Sequence, residues 1–248
     1  MIKYKEMSTQ YFLLIKPGVN TIDEKEENQI FYPNAGSNRV YILPRVNMEY
    51  YTKNGLFESQ LIEWSKQLCS KDKIFLDIGA HTGTYAMSLA NHSKHVYCFE
   101  PQKMTYYALC GSVALSNMEN VTCLNVGLGS REQVGKKSLK IVSNDGGGSS
   151  MHAEMGVIRE EIIEINTLDH FQISNVGFIK MDVEENELFV LQGAEETLRK
   201  SNYPKILFES NSEFSDRSKS LFVHLTEALN YKIIQINGSK NMYLAEHN

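Results

Sequence analysis

Apolar positions recur along this chain in two periods. From Lys73 onward, short apolar runs alternate with stretches whose hydrophobic residues return every three or four positions, which predicts strand and helix in turn. Lys73 to Gly79 (KIFLDIG) is an apolar run closed by glycine and predicts the first central strand. Thr84 to Asn91 is helical in character, His95 to Pro101 predicts a second strand, and Lys103 to Ser116 carries Tyr106, Cys110 and Val113 at helical spacing. Val121 to Gly127 predicts a third strand. Between Ser130 and Asp169 the alternation breaks into Ser138 to Val142, a triple-glycine turn and a charged, β-branched run through Ile165, which predicts an inserted hairpin or excursion. Regularity resumes with a strand over Val176 to Val183 and a helix over Asn186 to Lys200 that turns Leu188, Leu191, Ala194 and Leu198 inward. A strand over Lys205 to Glu209 follows, then a helix over Ser218 to Leu229 with Leu221, Leu225 and Ala228 inward. Tyr231 to Ile236 and Met242 to Ala245, joined around Asn237-Gly238, predict a closing hairpin. This order implies an α/β fold with a mostly parallel sheet and helices on both faces.

The first 70 residues are less regular and rich in tyrosine (Tyr4, Tyr11, Tyr32, Tyr41, Tyr50, Tyr51), and they are expected to form a cap, residues 1–70, on a domain spanning 71–248. Within them Leu56 to Leu68 is amphipathic, with Phe57, Leu61, Trp64 and Leu68 on one stripe expected to pack on the sheet edge.

A length of 248 residues suits one large domain, and 42% hydrophobic with 10% aromatic residues excludes wholesale disorder and fibrous repeats. A balance of 25 basic against 30 acidic residues gives −5, which argues against an extended phosphate-backbone footprint, so no DNA partner is expected. The apolar stretch Tyr11 to Ile15 is far shorter than the roughly 18 residues a membrane span needs, so no membrane partner and a cytoplasmic location are expected. Cys69, Cys98, Cys110 and Cys123 show no CxxC spacing and read as buried thiols in a reducing compartment. The seven histidines lack HxxxH spacing, and no metal is assigned.

The strongest local signal is Asp77-Ile78-Gly79-Ala80-His81-Thr82-Gly83, between a predicted strand and a predicted helix. In an open α/β sheet that turn lies at the carboxyl edge, where ligands bind. Glycines there let the backbone approach a ligand, and the helix start offers N–H groups to a carboxylate or phosphate. The spacing is DxGxxxG, not the GxGxxG of a dinucleotide fold, and it suits S-adenosylmethionine, whose ammonium needs an acidic neighbour and whose carboxylate needs donors. Glu100, ending the second strand before Pro101, is placed to take both ribose hydroxyls.

Taken together, these residues resemble the FkbM-type S-adenosylmethionine-dependent methyltransferases. The likeness is carried by Leu76 to Gly83, Phe99-Glu100-Pro101, Gly148-Ser149-Ser150, Thr167-Leu168-Asp169, Ile179-Lys180-Met181-Asp182-Val183-Glu184 with Glu187, Val190-Leu191, Gly193-Ala194 and Phe208-Glu209. It implies a Rossmann-like class I methyltransferase fold with a seven-stranded sheet and an S-adenosylmethionine site formed by Asp77, Gly79, Ala80, His81, Thr82, Gly83, Glu100, Pro101, Asn125, Val126 and Asp182. Two positions depart from the family pattern. His81 stands where asparagine is usual and can still donate a hydrogen bond, and Glu185 stands where glycine is usual.

The likeness implies O-methylation, expected on a sugar, a glycan or a small polar metabolite. The sulfonium already activates the methyl group, so a protein must align the acceptor oxygen and take its proton. Asp182 is the expected base, Lys180 on the same strand face keeps it ionised, and Glu209 joins them as a catalytic candidate. Glu184, Glu187 and Glu209 are expected to orient sugar hydroxyls, hold a cation or face solvent, and Ser149 and Ser150 to form either a linker or a loop over the site. Ribose methylation of RNA is the second reading, disfavoured by the acidic composition and by Arg199, Lys200 and Lys205 falling at the opposite sheet edge. A module that binds the cofactor without chemistry is the third, and a nicotinamide enzyme the outsider.

Overall fold

Phe75 and Asp77 point to one face of the central strand, Leu76 and Ile78 to the other, and all four are buried, so this strand is covered on both sides. A computed structural model describes residues 11–16, 39–210 and 216–248 of the chain. In order these form β1 (Tyr11–Lys16), β2 (Arg39–Pro44), α1 (Met48–Asn54), α2 (Ser59–Ser65), β3 (Ile74–Ile78), α3 (Thr84–Leu89), β4 (His95–Phe99), α4 (Lys103–Leu115), β5 (Val121–Leu124) and β6 (Gly127–Leu128). They continue with β7 (Gly135–Ile141), β8 (Arg159–Asn166), β9 (Val176–Met181), α5 (Glu187–Gln192), α6 (Glu195–Lys200), β10 (Lys205–Glu209), α7 (Asp216–Val223), β11 (Tyr231–Gln235) and β12 (Met242–His247).

Seven strands make one sheet in the order β11-β12-β10-β9-β3-β4-β5, parallel except for β12, which runs antiparallel to both β10 and β11. The chain winds outward from β3 to β5 and then returns to β9 on the other side of β3. The carboxyl ends of β3 and β9 therefore flank the crevice where such sheets take ligands. One face packs Leu76, Ile78, Ile179, Met181, Leu191 and Leu198, the other Phe75, Met87, Leu89, Val96, Leu109 and Phe178. Phe75 and Phe178 stack across the β3/β9 pair at 5.2 Å.

The interruption between Ser130 and Asp169 is a small sheet of its own, β6-β8-β7, with Leu139, Ile141, Ile163 and Ile165 as its core. The third strand stops at Leu124, and Gly127-Leu128 pairs with β8 instead. In the amino-terminal part, β1 and β2 form a hairpin whose second strand lies along α4, where Val40 N donates to Ser116 Oγ (2.8 Å) and Ile42 N to Ser112 Oγ (2.9 Å). Tyr4 and Tyr32 lie outside the described residues.

Three expectations about helices are corrected. The helix over Asn186 to Lys200 is two helices broken at Gly193-Ala194, because Gly193 sits against the backbone of Gly129, whose carbonyl oxygen would lie 2.1 Å from any Cβ there. The second piece is capped by a residue distant in sequence, since Asp169 accepts from Glu196 N (3.0 Å) and Thr197 N (2.8 Å). The last helix widens into a π turn over His224–Ala228, with Leu229 N donating to His224 O, so the register slips and Ala228 faces solvent. In the 56–68 segment the buried positions are Leu56, Ile62 and Ser65, while Phe57 and Trp64 are exposed, because α2 begins only at Ser59 and the chain reaches it through a left-handed Glu58. Among the described residues no helix is long and apolar enough to cross a membrane.

Candidate functional site

The turn after β3 is shaped by two glycines with different duties. Gly79 (φ +75°) has Asp182 so close that a Cβ would sit 1.8 Å from the Asp182 carbonyl oxygen. Its N–H and that of Ala80 donate to Phe99 O, while Asp182 N donates to Ile78 O (3.0 Å), so the ends of β3, β4 and β9 are sewn together here. Gly83 (φ +83°) begins α3 pressed on Leu109, with only 2.4 Å between a Cβ and that side chain. Asp77 is fully buried beneath the turn, where its Oδ2 accepts from Ala86 N (2.9 Å) in the first turn of α3. Burial pushes its carboxyl up to about 6, against the opposing pull of Lys180. One helix N–H expected to serve a ligand is thus already taken by Asp77.

His81 (φ +50°) is a hub. Its backbone N donates to Glu100 Oε2 (2.8 Å), and its Nε2 donates to Asp145 O (2.7 Å). Burial holds the imidazole below its ordinary pKa, so it is neutral with the proton on the nitrogen facing the carbonyl. Glu100 also accepts from Gln102 N through Oε1 (2.8 Å), and burial pushes it up to about 7. Each of its oxygens can still accept a second hydrogen bond, and the residue lines the cavity above.

Above this floor lies a cavity of about 320 Å³, within the size range of small-molecule sites. Its apolar end is built by Phe99 and Leu128 with Leu139, Met151, Ile163 and Ile165 from the small sheet. Its polar end holds His81, Lys180, Asp182, Glu184 and Ser149. The 143–149 loop arches over it, tied down by the His81 bond and by Asn47 Nδ2 donating to Asp145 Oδ2 (2.7 Å), with Gly148 N donating to Glu184 Oε1 (3.0 Å). The triple glycine with Ser149 is therefore a loop over the site.

Lys180, 5% exposed, extends from β9 to donate to Asp182 Oδ2 at 3.1 Å and stands 5.2 Å over the Tyr85 ring. Burial pulls its pKa down, but Asp182 and then Asp77 outweigh that and raise it. Burial alone would raise Asp182, and the Lys180 ammonium reverses this and holds the carboxyl below its ordinary value. Oxygens of Asp182, Glu184 and Glu209 all lie within 4.8 Å of one another, a set able to hold a hard cation. Burial first and the Asp182 charge second push Glu209 up to about 9 and Glu184 up to about 7, so one ionised carboxylate sits between two acids that hold their protons more tightly. Glu187, buried, accepts from Val183 N (3.0 Å) and is pushed by burial up to about 8.

Of the residues expected at the site, Gly79, Ala80, His81, Glu100, Pro101, Lys180 and Asp182 line the cavity together. Asp77, Thr82 and Gly83 lie beneath it as packing and capping residues. Asn125 turns its amide to Glu100 O (2.9 Å) and Pro101 O (3.0 Å), and Val126 joins the core, so the chain meets the cavity at Gly127 and Leu128 instead. Glu209 stands behind Asp182, outside the lining. Sequence reasoning missed the wall from the amino-terminal part, Asn47, Tyr51, Phe57 and Glu58, together with Tyr85. Nothing in the local pattern of those residues separates them from an ordinary packed cap.

The family model of the methyltransferase FkbM domain matches residues 77–235, more than half of the chain. No curated protein matches it. Among solved structures, a methyltransferase FkbM from Methylobacillus flagellatus KT is 16% identical over 71% of this chain, with a TM-score of 0.49, and this chain covers 44% of that one. A candidate caffeoyl-CoA O-methyltransferase from Staphylococcus aureus is 12% identical, with 82% of this chain and 91% of that chain covered and a TM-score of 0.52. A candidate rRNA methylase from Clostridium thermocellum is 9% identical, with 77% and 97% covered and a TM-score of 0.51. With the strand order, the last two likenesses make the fold the Rossmann-like class I methyltransferase one.

Proposed function

The chain belongs to the FkbM methyltransferase family, and from that premise we propose that it is an S-adenosylmethionine-dependent O-methyltransferase acting on a hydroxyl of a sugar, a glycan or a small polar metabolite, with Asp182 as the base. The observation that carries this reading is the juxtaposition of an ion-paired, half-buried Asp182 with the cradle at Gly79, both on one cavity.

The cavity suits the cofactor. One polar atom on its wall, Ser149 Oγ, is buried without a hydrogen-bond partner, the state of a group awaiting a ligand. In this reading Glu100 takes the ribose hydroxyls, the Gly79–His81 turn borders the amino-acid end, and Leu128, Leu139, Ile163 and Ile165 enclose the adenine. When bound, S-adenosylmethionine supplies a methyl group on a sulfonium, whose bonding electrons return to sulfur to leave S-adenosylhomocysteine. As the acceptor oxygen forms its bond to that carbon, its proton passes to Asp182. A carboxylate held ionised by Lys180 suffices, because the hydroxyl becomes strongly acidic only as the new bond forms. Glu209 holds its own proton beside Asp182 and fixes the orientation of that carboxylate.

The test is incubation with methyl-labelled S-adenosylmethionine and a panel of glycans, nucleotide sugars and RNA oligomers, with the labelled product identified by mass. Label in a carbohydrate or small-metabolite hydroxyl supports the reading. Label in RNA ribose establishes the second reading, and tight cofactor binding with no turnover on any acceptor establishes a binding module.

A further inference from the structure

The wall that the amino-terminal part adds to the cavity carries a chemistry of its own. Phe57 lines the cavity and is 39% exposed although it stacks on Tyr50 at 4.1 Å and meets Tyr51 edge-on at 4.9 Å, so an aromatic ring braced by two others forms part of the wall. Glu58 follows in the left-handed region (φ +52°), a conformation that costs a non-glycine residue energy and recurs where function holds it. It makes no cap for α2. Its Oε2 instead accepts from the Tyr85 hydroxyl (2.7 Å), which leaves Oε1 for a further donor. Tyr85 lies under the Lys180 ammonium, which in turn bonds Asp182, so Glu58 and the candidate base stand on the same side of the cavity.

The charge of this chamber is one-sided. Glu58, Glu100, Asp145, Asp182 and Glu184 line it, and among the described lining residues the only Lys or Arg is Lys180, already paired with Asp182. A phosphate or carboxylate placed near Asp182 would meet carboxylates with no unpaired Lys or Arg among the described lining residues to balance it. An uncharged ring bearing hydroxyls meets what it needs, namely acceptors for its O–H groups and an aromatic face for its C–H side.

We propose that Phe57 and Glu58 form the acceptor subsite, which stacks the apolar face of an uncharged polyhydroxyl ring on Phe57, takes a ring hydroxyl on Glu58 and rejects phosphorylated acceptors. This rests on the methyltransferase reading above and narrows its substrate to neutral carbohydrate.

The experiment is saturation-transfer-difference NMR on the full chain with and without S-adenosylhomocysteine. One arm presents the methyl glycosides of glucose, galactose, mannose and rhamnose, the other glucose 6-phosphate and galactose 1-phosphate. At least one neutral glycoside is expected to receive saturation while both phosphates stay silent. Phe57→Ala, which removes the stacking face, and Glu58→Gln, which removes one carboxylate acceptor, are each expected to cut the glycoside signal by about fivefold, with S-adenosylhomocysteine affinity kept within about twofold. Both side chains are exposed, and unchanged thermal unfolding verifies that the variants fold. Silence of all four glycosides, saturation of a phosphate equal to theirs, or unchanged signals in both variants overturns the subsite. Failure of S-adenosylhomocysteine to bind the unmodified chain overturns the cofactor reading instead, and the glycoside arm without it still reads the wall.

Discussion

The carbonyl oxygen of Asp182 occupies the space where a side chain on Gly79 would begin, 1.8 Å from the position of a Cβ. The first glycine of the motif after β3 is thus required by the strand end that carries the candidate base, whatever ligand lies above. Gly79→Ala has to push β9 away from β3 and strain a left-handed backbone. It is expected to cost about 3 kcal/mol or more of stability, read by urea unfolding. A loss below about 1 kcal/mol would show that the strand ends are not locked in this way.

Asp169 caps α6 from outside that helix, through Glu196 N and Thr197 N. Asp169→Ala should lower stability by about 1 to 2 kcal/mol, while Asp169→Asn, which keeps an acceptor, loses less. Cofactor binding measured by calorimetry should not change in either variant.

Glu185 stands at φ +74°, in the region that favours glycine, and its carboxylate pairs with Arg217 at 2.8 Å on the surface. The resemblance implies glycine at this position, and a positive φ is one that glycine adopts without strain. Glu185→Gly trades roughly 1 kcal/mol of left-handed strain against an exposed ion pair worth less than that. A small gain in melting temperature is expected, with Arg217→Ala nearly neutral. Destabilisation by Glu185→Gly would mean that the ion pair outweighs the strain.

Buried acids give stability a definite pH slope. Glu209, Glu187, Glu184 and Glu100 have folded-state values near 9, 8, 7 and 7, above the ordinary carboxyl value of 4.5. Between those limits the folded chain holds more protons than the unfolded chain, so their contribution is complete at low pH and is lost as pH rises through about 7 to 9. Asp182 works the other way, since its lowered pKa favours folding above the ordinary value and is lost in acid. Melting temperature should therefore fall from pH 6 to pH 9. Glu187→Gln, whose amide oxygen can still accept from Val183 N, should flatten that fall, and an unchanged slope would contradict the assignment.

Much of this architecture was legible because it is written locally. The strands declare themselves as apolar runs, the β3 turn as glycines after an aspartate, and the order of elements reproduces the observed sheet. What escaped depends on partners distant in sequence. Gly193 looks like a tolerable glycine inside a helix until Gly129 is seen against it, and the π turn at His224 is invisible to a period of 3.6. At the site, Lys180, Asp182, Glu100 and the Gly79 turn end strands at the carboxyl edge, so topology brings them together. Asn125 and Val126 also end a strand, yet the next strand leaves for the small sheet and carries Gly127 and Leu128 to the cavity in their place. Phe57 and Glu58 come from a segment whose pattern predicts only packing, and their place follows from how the amino-terminal part lies over α3.

The central claim is that Asp182 removes the acceptor proton while the cavity around it binds the donor, and Asp182→Asn separates the two, since an amide oxygen can still accept from Lys180 but cannot take a proton. Calorimetry with S-adenosylhomocysteine and methyl transfer from labelled S-adenosylmethionine are measured on the same sample of this variant. S-adenosylhomocysteine is still expected to bind this variant, with transfer reduced by about 10² to 10⁴. Transfer at the rate of the unmodified chain, with binding retained, would contradict the role of Asp182 as the base.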